Sequence, residues 1–300
     1  MNNRSIEIIK SIYKPYRYTI LKNAHILEST SGNIVIKEKK RNMKELYNYL
    51  SSKGITNYPQ LIDDSREGID LYKYIEDIPM PNEEKALELT RLIASLHSRT
   101  TYYKQVTEDD YKKIYEIIKE HINYLKYFLN YHYEECFKEI YPSPSSSCFL
   151  NNFYKASAAL NFSEDKLESW YNKVKDKTSE RLCQIHHHVS LEHFFHSDKD
   201  YLLSWEESTK DSPVIDMIEF YKRECFSCDF SILLKEYFSI CPWSPEEKDL
   251  FFICISIPDE FAWKGSEFTI VLKVEKFFDY IFKTETLTRP YYTIDEKEKN

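Results

Sequence analysis

Glycine is scarce in this chain, and other features that would assign a function directly are also missing. The 300 residues include only four glycines, and Gly32 alone serves the first predicted hairpin, so a glycine-rich phosphate cradle is absent. No stretch approaches the roughly 18 apolar residues that cross a bilayer, and the opening MNNRSIEIIK lacks the apolar core of a signal peptide. We therefore expect no membrane insertion, and a location in the cytoplasm.

Long runs of one charge and paired cysteines are missing as well. The 41 basic residues are scattered among 49 acidic ones, for a net charge of −8, so nucleic acid is not expected as a partner. Seven cysteines is an odd number without a secreted-type framework, which favours reduced thiols. The chain is 42% hydrophobic and long enough to bury about three quarters of its unfolded surface, as a globular protein does.

The first quarter of the chain is predicted to be a small sheet with one helix. A hairpin is predicted from Ala24–Glu28 and Ile34–Lys37, because a Ser-Gly-Asn turn separates two strand-like runs. The apolar spacing within Asn42–Lys53 predicts a helix that ends at Gly54. Further strand candidates lie at Tyr58–Ile62 and Ile69–Ile75, and the Pro-Met-Pro break at 79–81 follows them.

The remainder is predicted to be mainly helical. Asn82 is the expected N-cap of the next helix, and long periodic segments follow at Glu108–Phe137 and Ser163–Lys177. Between them, Pro142–Ser147 is predicted to be a loop because of its proline and serine content. Strand signals return at Leu182–Trp205, and the pattern from residue 214 to residue 282 is helical again.

Three segments carry a family resemblance. They are Ile185-His-His-His-Val-Ser-Leu-Glu-His-Phe-Phe195, Tyr201-Leu-Leu-Ser-Trp-Glu206 and Ser212-Pro-Val-Ile-Asp-Met217. Together they resemble the aminoglycoside-phosphotransferase family, whose motifs run His-Gly-Asp, four residues, Asn, then a second Asp before Trp or Phe, then Asp-Pro and Asp-Leu. Leu92-Ile-Ala-Ser-Leu-His97 is similar to the Leu-His helix end of that family.

The resemblance implies an α+β, two-lobed, protein-kinase-like fold with a small antiparallel β-sheet lobe and a larger, mainly helical lobe. The lobes are expected at residues 1–78 and 79–300, with a degenerate catalytic loop at 185–206. His186 falls on the motif's His, His188 on the catalytic Asp, His193 on the metal-binding Asn and Ser204 on the second, metal-binding Asp. His97, His186 and Asp216 are implied to be structural.

These replacements predict a loss of catalysis. Phosphoryl transfer relies on Mg²⁺ held by hard oxygen ligands and on a carboxylate that accepts the substrate proton. Ser204 is a weak neutral ligand, His193 is a nitrogen donor, and His188 would become positively charged on accepting a proton. Glu192 and Glu206 are the carboxylates that lie near enough in sequence to replace the lost ones.

Lys37 falls where the family keeps its phosphate-contacting lysine, with Glu45 on the following helix as a candidate ion-pair partner. A solvated lysine at a strand end is the alternative. We expect no cofactor and only vestigial nucleotide binding at Lys37; Mg-ATP would be bound if activity remains.

One branch of the family, the spore-coat proteins of the CotS type, contains sequences similar to Ser-Leu-Glu-His-Phe and Ser-Pro-Val-Ile-Asp-Met-Ile-Glu-Phe-Tyr. This resemblance implies a catalytically inactive pseudokinase that acts as a structural or binding component of the spore coat, with other coat proteins as partners. The alternative is an active ATP-dependent phosphotransferase for a small hydroxylated substrate.

Metal binding is a rival function. Five of the nine histidines lie between His186 and His196, and two of them would point to the same side of a strand. A histidine-rich loop that replaced an abandoned catalytic loop explains them equally well. Cys225 and Cys228 form a lone Cys-x-x-Cys pair without a second pair at zinc-finger spacing. We therefore expect no metal at either place.

Overall fold

A computed structural model of the chain describes residues 3–21, 24–65 and 68–298. Of the opening MNNRSIEIIK, residues 1 and 2 lie outside the described residues, and the others belong to a helix that the sequence did not predict. The first elements are α1 (Asn3–Tyr13), β1 (Arg17–Ile20), β2 (Ala24–Glu28), β3 (Ile34–Glu38), α2 (Met43–Ser52), β4 (Leu61–Asp63), β5 (Ile69–Lys73), α3 (Asn82–Thr100) and β6 (Tyr102–Gln105).

The first five strands form one antiparallel sheet in the order β1-β2-β3-β5-β4. Side chains alternate between the two faces of a strand. On β3, Ile34 and Ile36 are buried against Leu27 and against Ile9 of α1. Val35 and Lys37 therefore lie on the opposite face, and this alternation places Lys37 beside the candidate site.

The short elements around this sheet largely follow the sequence pattern. The predicted hairpin is confirmed, and Asn42 caps α2 by accepting a hydrogen bond from the backbone of Glu45 at 3.3 Å. Gly54 lies just beyond the end of α2 with φ +74°, a conformation that favours glycine. Three boundaries differ: β4 begins at Leu61 rather than at residue 58, β5 ends at Lys73 rather than at residue 75, and the N-cap of α3 is Pro81, with Asn82 as its first helical residue.

The second part of the chain contains most of the helices. Its elements are α4 (Glu108–Phe137), α5 (Pro144–Val174), β7 (Ser179–Ile185), β8 (Phe194–His196), β9 (Asp200–Leu202), β10 (Thr209–Asp211), α6 (Pro213–Glu224), α7 (Phe230–Ile240), α8 (Pro245–Ser256) and α9 (Glu267–Glu298). Two short 3-10 helices lie at Leu191–His193 and Trp205–Glu207. The predicted helix at 108–137 is confirmed.

The predicted loop at Pro142–Ser147 is wrong, because α5 begins within it. Ser143 is the N-cap and accepts a hydrogen bond from the backbone of Ser146 at 3.2 Å, and Pro144 is the first helical residue. Proline is favoured at this position because the first helical N–H has no intrahelical partner. A serine-proline pair therefore marked a helix start rather than a loop, and the predicted helix at 163–177 is the second half of α5.

The chain divides into two compact units. One consists of Met1–Thr101 together with Cys183–Asp211, and the other of Tyr102–Leu182 together with Ser212–Asn300. The second unit has its own core, in which α5 packs against α4, α8 and α9 around Phe149 and Trp170. These units are defined by contacts between residues and do not correspond to the two predicted lobes. The predicted lobe boundary between residues 78 and 79 therefore stays a prediction.

The expected α+β class is confirmed, with a small antiparallel sheet and a larger helical region. Within residues 3–21, 24–65 and 68–298, no helix combines the length and the apolarity needed to cross a membrane.

Candidate functional site

Lys37 forms an ion pair with a carboxylate from the far end of the degenerate loop. Its Nζ donates a hydrogen bond to the carboxylate of Glu206 and lies 3.3 Å from the Oγ of Ser204. The two charged side chains are 20% and 14% exposed. The expected partner, Glu45, is wrong: it lies exposed on α2, and Lys37 pairs with Glu206 instead.

The electrostatics of Glu206 follow from this contact. Burial raises the pKa of its carboxyl, but the charge and hydrogen bond of Lys37 outweigh burial and hold that pKa below its usual range. Three residues further along the chain, the Lys40 ammonium lies 3.1 Å from Glu207, with both side chains more than half exposed. Residues 37–40 and 206–207 thus form one largely buried ion pair, Lys37–Glu206, and one exposed ion pair, Lys40–Glu207.

His186 is fully buried at the end of β7 and uses both of its ring nitrogens. The backbone N–H of His188 donates to Nδ1 at 3.2 Å. Because Nδ1 accepts, Nε2 carries the proton and donates to the carbonyl of Leu203 at 2.7 Å. The ring of His186 therefore links the backbone of His188 to the backbone of Leu203, the residue before Ser204. This is a structural role.

His193 is joined to the same segment. Its Nδ1 donates to the carbonyl of His188 at 2.7 Å, and the two imidazole rings lie 5.6 Å apart. The backbone N–H of Leu203 in turn donates to the carbonyl of His193 at 2.8 Å. His188, His193 and Ser204 are thus linked through one segment; His193 and Ser204 line the cavity described below, whereas His188 is not among its lining residues.

Two residues of the degenerate segment have left-handed backbone conformations. His187, which stands at the glycine of the His-Gly-Asp motif, has φ +68°, and Ser204 has φ +66° and ψ +55°. Residues other than glycine rarely adopt this backbone conformation, although Asn, Asp and His do so more often than the others. The backbone keeps a shape that suits Gly at the first position and Asp at the second.

A cavity of about 470 Å³ opens beside these residues, within the first unit. Its apolar wall includes Ile26, Val35, Tyr72, Ile75 and Leu203. Its polar wall includes Lys37, Lys73, Glu192, His193, Ser204 and Glu206. The volume lies within the range of about 300–1,000 Å³ that is typical of small-molecule sites. Of the two lining lysines, Lys37 lies 3.3 Å from Ser204 and is paired with Glu206.

The remaining predicted positions lie on helices. His97 is fully buried in the last turn of α3. Asp216 is fully buried in the first turn of α6, in the second unit. The burial of both side chains is compatible with the structural roles that the resemblance implies. The resemblance also implies that Asp216 braces the degenerate loop, and this stays a prediction.

The histidines between His186 and His196 make separate contacts, and their imidazole rings do not converge on one position. His196 pairs with Asp200 at 2.7 Å on the β8–β9 hairpin, and both nitrogens of His186 are occupied within the loop. Among the described residues, no three side chains of His, Cys, Asp or Glu come together in a way that could hold a metal ion.

Comparison with solved structures identifies the fold. An aminoglycoside phosphotransferase from Alicyclobacillus acidocaldarius matches with a TM-score of 0.70 at 10% identity, over 94% of this chain and 93% of that chain. Spectinomycin phosphotransferase matches in its AMP complex (TM-score 0.57, 13% identity, 95% and 97% covered) and with ADP and spectinomycin (0.53, 13%, 95% and 98%). Neither a protein-family model nor a curated protein matches the sequence.

The chain therefore has the kinase-like fold of aminoglycoside phosphotransferases, as the sequence motifs predicted. The spore-coat branch and the loss of function at the motifs stay predictions. The sequence pattern missed the partner of Lys37. A usable signal was present: Glu206 follows Ser204 by two residues, and Trp205 between them is buried and anchors the short helix that carries the carboxylate.

Proposed function

We propose that this protein is a catalytically inactive kinase-like protein, a pseudokinase. The observation that carries the proposal is Ser204, whose hydroxyl lies 3.3 Å from the Lys37 ammonium at the position where the resemblance implies a metal-binding Asp. In an active kinase the corresponding lysine contacts phosphate and is itself paired with a carboxylate, while a separate carboxylate holds the metal ion. The pairing of Lys37 with Glu206 is therefore compatible with either function, whereas a neutral hydroxyl at the metal position favours the inactive one.

The other lining residues fit Mg²⁺ poorly. Magnesium prefers oxygen ligands in near-ideal octahedral geometry, whereas His193 offers an imidazole nitrogen. His188, at the position of the catalytic base, is not among the residues that line the cavity, and its imidazole would become positively charged on accepting a proton. No pair of carboxylates within the cavity is left to bind a metal ion, because Glu206 is engaged by Lys37 and Glu192 stands alone.

The proposed role is structural or binding, as a component of the bacterial spore coat with other coat proteins as partners. Support comes from the resemblance of Ser190–Phe194 and Ser212–Tyr221 to the CotS-type branch. The protein would be made in the cytoplasm and then assembled onto the coat. A fluorescent fusion expressed from its own promoter tests this: a ring around the forespore is expected, and a diffuse signal throughout sporulation would contradict the coat role.

Nucleotide binding and turnover test the loss of catalysis. Ligand stabilisation depends on the ratio of free ligand to dissociation constant. Millimolar Mg-ATP is therefore expected to leave the melting temperature unchanged and to yield no ADP. A triple variant Ser204→Asp, His188→Asp, His193→Asn restores the motif as a unit, since single changes should do little. Asp tolerates the left-handed backbone of Ser204, so a Mg²⁺-dependent melting shift is expected in this variant.

The second candidate is an active phosphotransferase for a small hydroxylated substrate. The observation in its favour is that Glu192 lines the same cavity as Lys37. Turnover of ATP by the wild-type chain that requires Mg²⁺ and is lost in both Glu192→Gln and Lys37→Ala would establish this function. The pseudokinase proposal would then have to be withdrawn.

A further inference from the structure

Helix α4 has large apolar side chains on two sides. On one side, Ile122, Leu125 and Leu129 are buried in the core of the second unit, where α4 packs against α5. On the other side, four large side chains are exposed: Ile117 (68%), Tyr124 (50%), Tyr127 (72%) and Tyr131 (51%). Single exposed apolar residues are ordinary on a protein surface, whereas a continuous row of them is typical of an interaction site.

The spacing of these residues places them in one row. An α-helix turns about 100° per residue, so residues seven or eleven positions apart point in directions that differ by only about 20°. Ile117 and Tyr131 are each seven residues from Tyr124, and Lys113 and Glu135 are each eleven residues from it. These five residues, which we call the α4 stripe, therefore span about 33 Å of the helix in a band about 40° wide.

The two ends of the α4 stripe carry opposite charges. Lys113 and Glu135 are both exposed. Glu135 pairs with Lys138 of its own helix at 2.6 Å, and both side chains are at least half exposed, so this pair is weak enough to be exchanged for another. Two α4 helices packed in parallel would bring like charges together at both ends. In an antiparallel pair centred on Tyr124, each Lys113 meets the other copy's Glu135.

We propose that the α4 stripe is a homodimer interface in which two copies of this chain pack antiparallel about a two-fold axis at Tyr124. A two-fold interface requires one surface to complement itself. The stripe does so in charge, and it does so in its apolar part because each Ile117 meets the other copy's Tyr131. The hydroxyl of Tyr124 donates to Glu260 at 2.5 Å, which holds the ring at the axis.

The residues beside the stripe fit the same arrangement. Glu120 and Tyr127 lie about 40° and about 60° to the same side of Tyr124. In the antiparallel pair, Glu120 of one copy lies beside the other copy's Tyr127, whose hydroxyl is a donor for its carboxylate. The interface is independent of the proposed loss of catalysis, because all of α4 belongs to the second unit.

The exposed apolar area indicates how strong the dimer is. With roughly 200 Å² for each tyrosine, the four apolar side chains offer about 450 Å² per copy. The total of about 900 Å² for two copies lies near the lower limit of about 1,000 Å² for specific interfaces. We therefore expect a reversible dimer with a dissociation constant in the micromolar range.

Analytical ultracentrifugation of the full chain between about 1 and about 300 µM tests the interface. The average mass should rise from that of one chain to that of two and level off there, because a two-fold interface closes on itself. Ile117→Asp places a charge in the apolar row and should leave the chain monomeric throughout. Ile232→Asp is the matched control, because Ile232 is 56% exposed on α7, and it should dimerise like wild type.

Charge reversals test the antiparallel packing. Lys113→Glu and Glu135→Lys each bring like charges together at both ends and should weaken the dimer about tenfold, whereas parallel helices would show no change. An equimolar mixture of the two variants should regain wild-type affinity, since one copy is then acidic at both ends and the other basic. Lys112→Glu, which lies about 100° from Lys113 around the helix, is the control and should leave the affinity unchanged.

A mass of one chain at the highest concentration would overturn the proposal, as would a mass that climbs beyond two chains without levelling off. A dimer that Ile117→Asp leaves intact, or single charge reversals without effect, would also overturn it. Circular dichroism checks that each variant is folded. Sedimentation with lipid vesicles by wild type but not by Ile117→Asp, without dimer formation, would assign the apolar row to a membrane instead.

Discussion

At the scale of single residues, burial separates two ion pairs that join the same two segments. The Lys37–Glu206 pair is 20% and 14% exposed, and the Lys40–Glu207 pair is 58% and 51% exposed. An exposed pair gains little, because water and salt screen it and two long side chains lose freedom. A largely buried pair is costly to break, because the remaining charge has no solvent to stabilise it.

The first prediction is a double-mutant cycle at both pairs. Lys37→Met should lower the free energy of unfolding by about 2 kcal/mol, since it leaves the Glu206 carboxylate buried without its cation. Glu206→Gln should cost less, and the two changes together less than their sum. The same cycle with Lys40→Met and Glu207→Gln should give no measurable coupling. Urea unfolding measures all of these, and equal coupling at the two pairs would show that burial does not decide the difference.

The pH dependence of stability carries the second prediction. Because the pKa of Glu206 is lowered in the folded chain from its ordinary value of 4.5, the ionised pair stabilises the fold above that value. This contribution is lost as the pH falls through the folded-state pKa. The stability difference between wild type and Glu206→Gln should therefore shrink steadily between about pH 6 and about pH 3. A difference that grows on acidification would mean that the pKa is raised, with burial dominating.

At the scale of the secondary-structure elements, helix ends show where sequence reasoning works and where it fails. Helix α4 was predicted with its observed bounds from its long apolar stripe, and the structure adds a capping box of Thr107 and Asp110 at its start. The helix predicted for α5 was too short, because Ser143 and Pro144 have the composition of a loop but the conformation of a helix start. Composition alone does not distinguish these cases; the position of proline immediately after serine does.

The third prediction tests this helix start. Ser143→Ala should lower the free energy of unfolding by about 1 kcal/mol, because it removes the oxygen that accepts the backbone N–H of Ser146. Ser147→Ala is the matched control in the first turns of α5 and should be neutral or slightly stabilising, since alanine favours the helix. Thermal unfolding by circular dichroism measures both. A neutral Ser143→Ala would mean that the cap adds nothing to α5.

The candidate site was predictable in its members but not in its pairing. His188, His193 and Ser204 were placed together because the motif spacing fixes their order along one loop. The partner of Lys37 was wrong because the choice between Glu45 and Glu206 depends on the twist of the sheet and the direction of the short helix at Trp205. The position of Glu206 two residues after Ser204 was a usable signal, but the sequence alone does not rank Glu206 above Glu45.

At the scale of the whole molecule, the unit that contains Lys37 is built from two separated stretches. Residues 102–182 leave and return at neighbouring points, because Tyr102 pairs with Leu182 in the β6–β7 ladder. The ends at Thr101 and Cys183 are therefore adjacent, and the stretch between them is an insertion into the first unit. The completeness of this unit depends on the second stretch, Cys183–Asp211.

The fourth prediction follows from this arrangement. A fragment of residues 1–101 should be largely unfolded, whereas residues 1–101 joined by a short glycine-rich linker to residues 183–211 should form the sheet. Proton-nitrogen correlation spectra distinguish the two by their dispersion. A fusion of 1–101 to a glycine-serine segment of the same length as 183–211 is the control. Well-dispersed spectra from the 1–101 fragment alone would show that the second stretch is dispensable.

The separation of the two stretches also has a consequence during synthesis. Lys37 and Glu206 are 169 residues apart. At about 5–20 residues per second, a ribosome needs roughly 10 to 30 s to make the chain between them. Throughout that interval the strands of the first sheet exist as nascent chain, while the carboxylate that will neutralise Lys37 has not been translated. The amino-terminal strands therefore lack their contacts with the loop during this interval, and a nascent chain that stalls before residue 183 has a first unit that is largely unfolded, which makes it a substrate for chaperones and proteases.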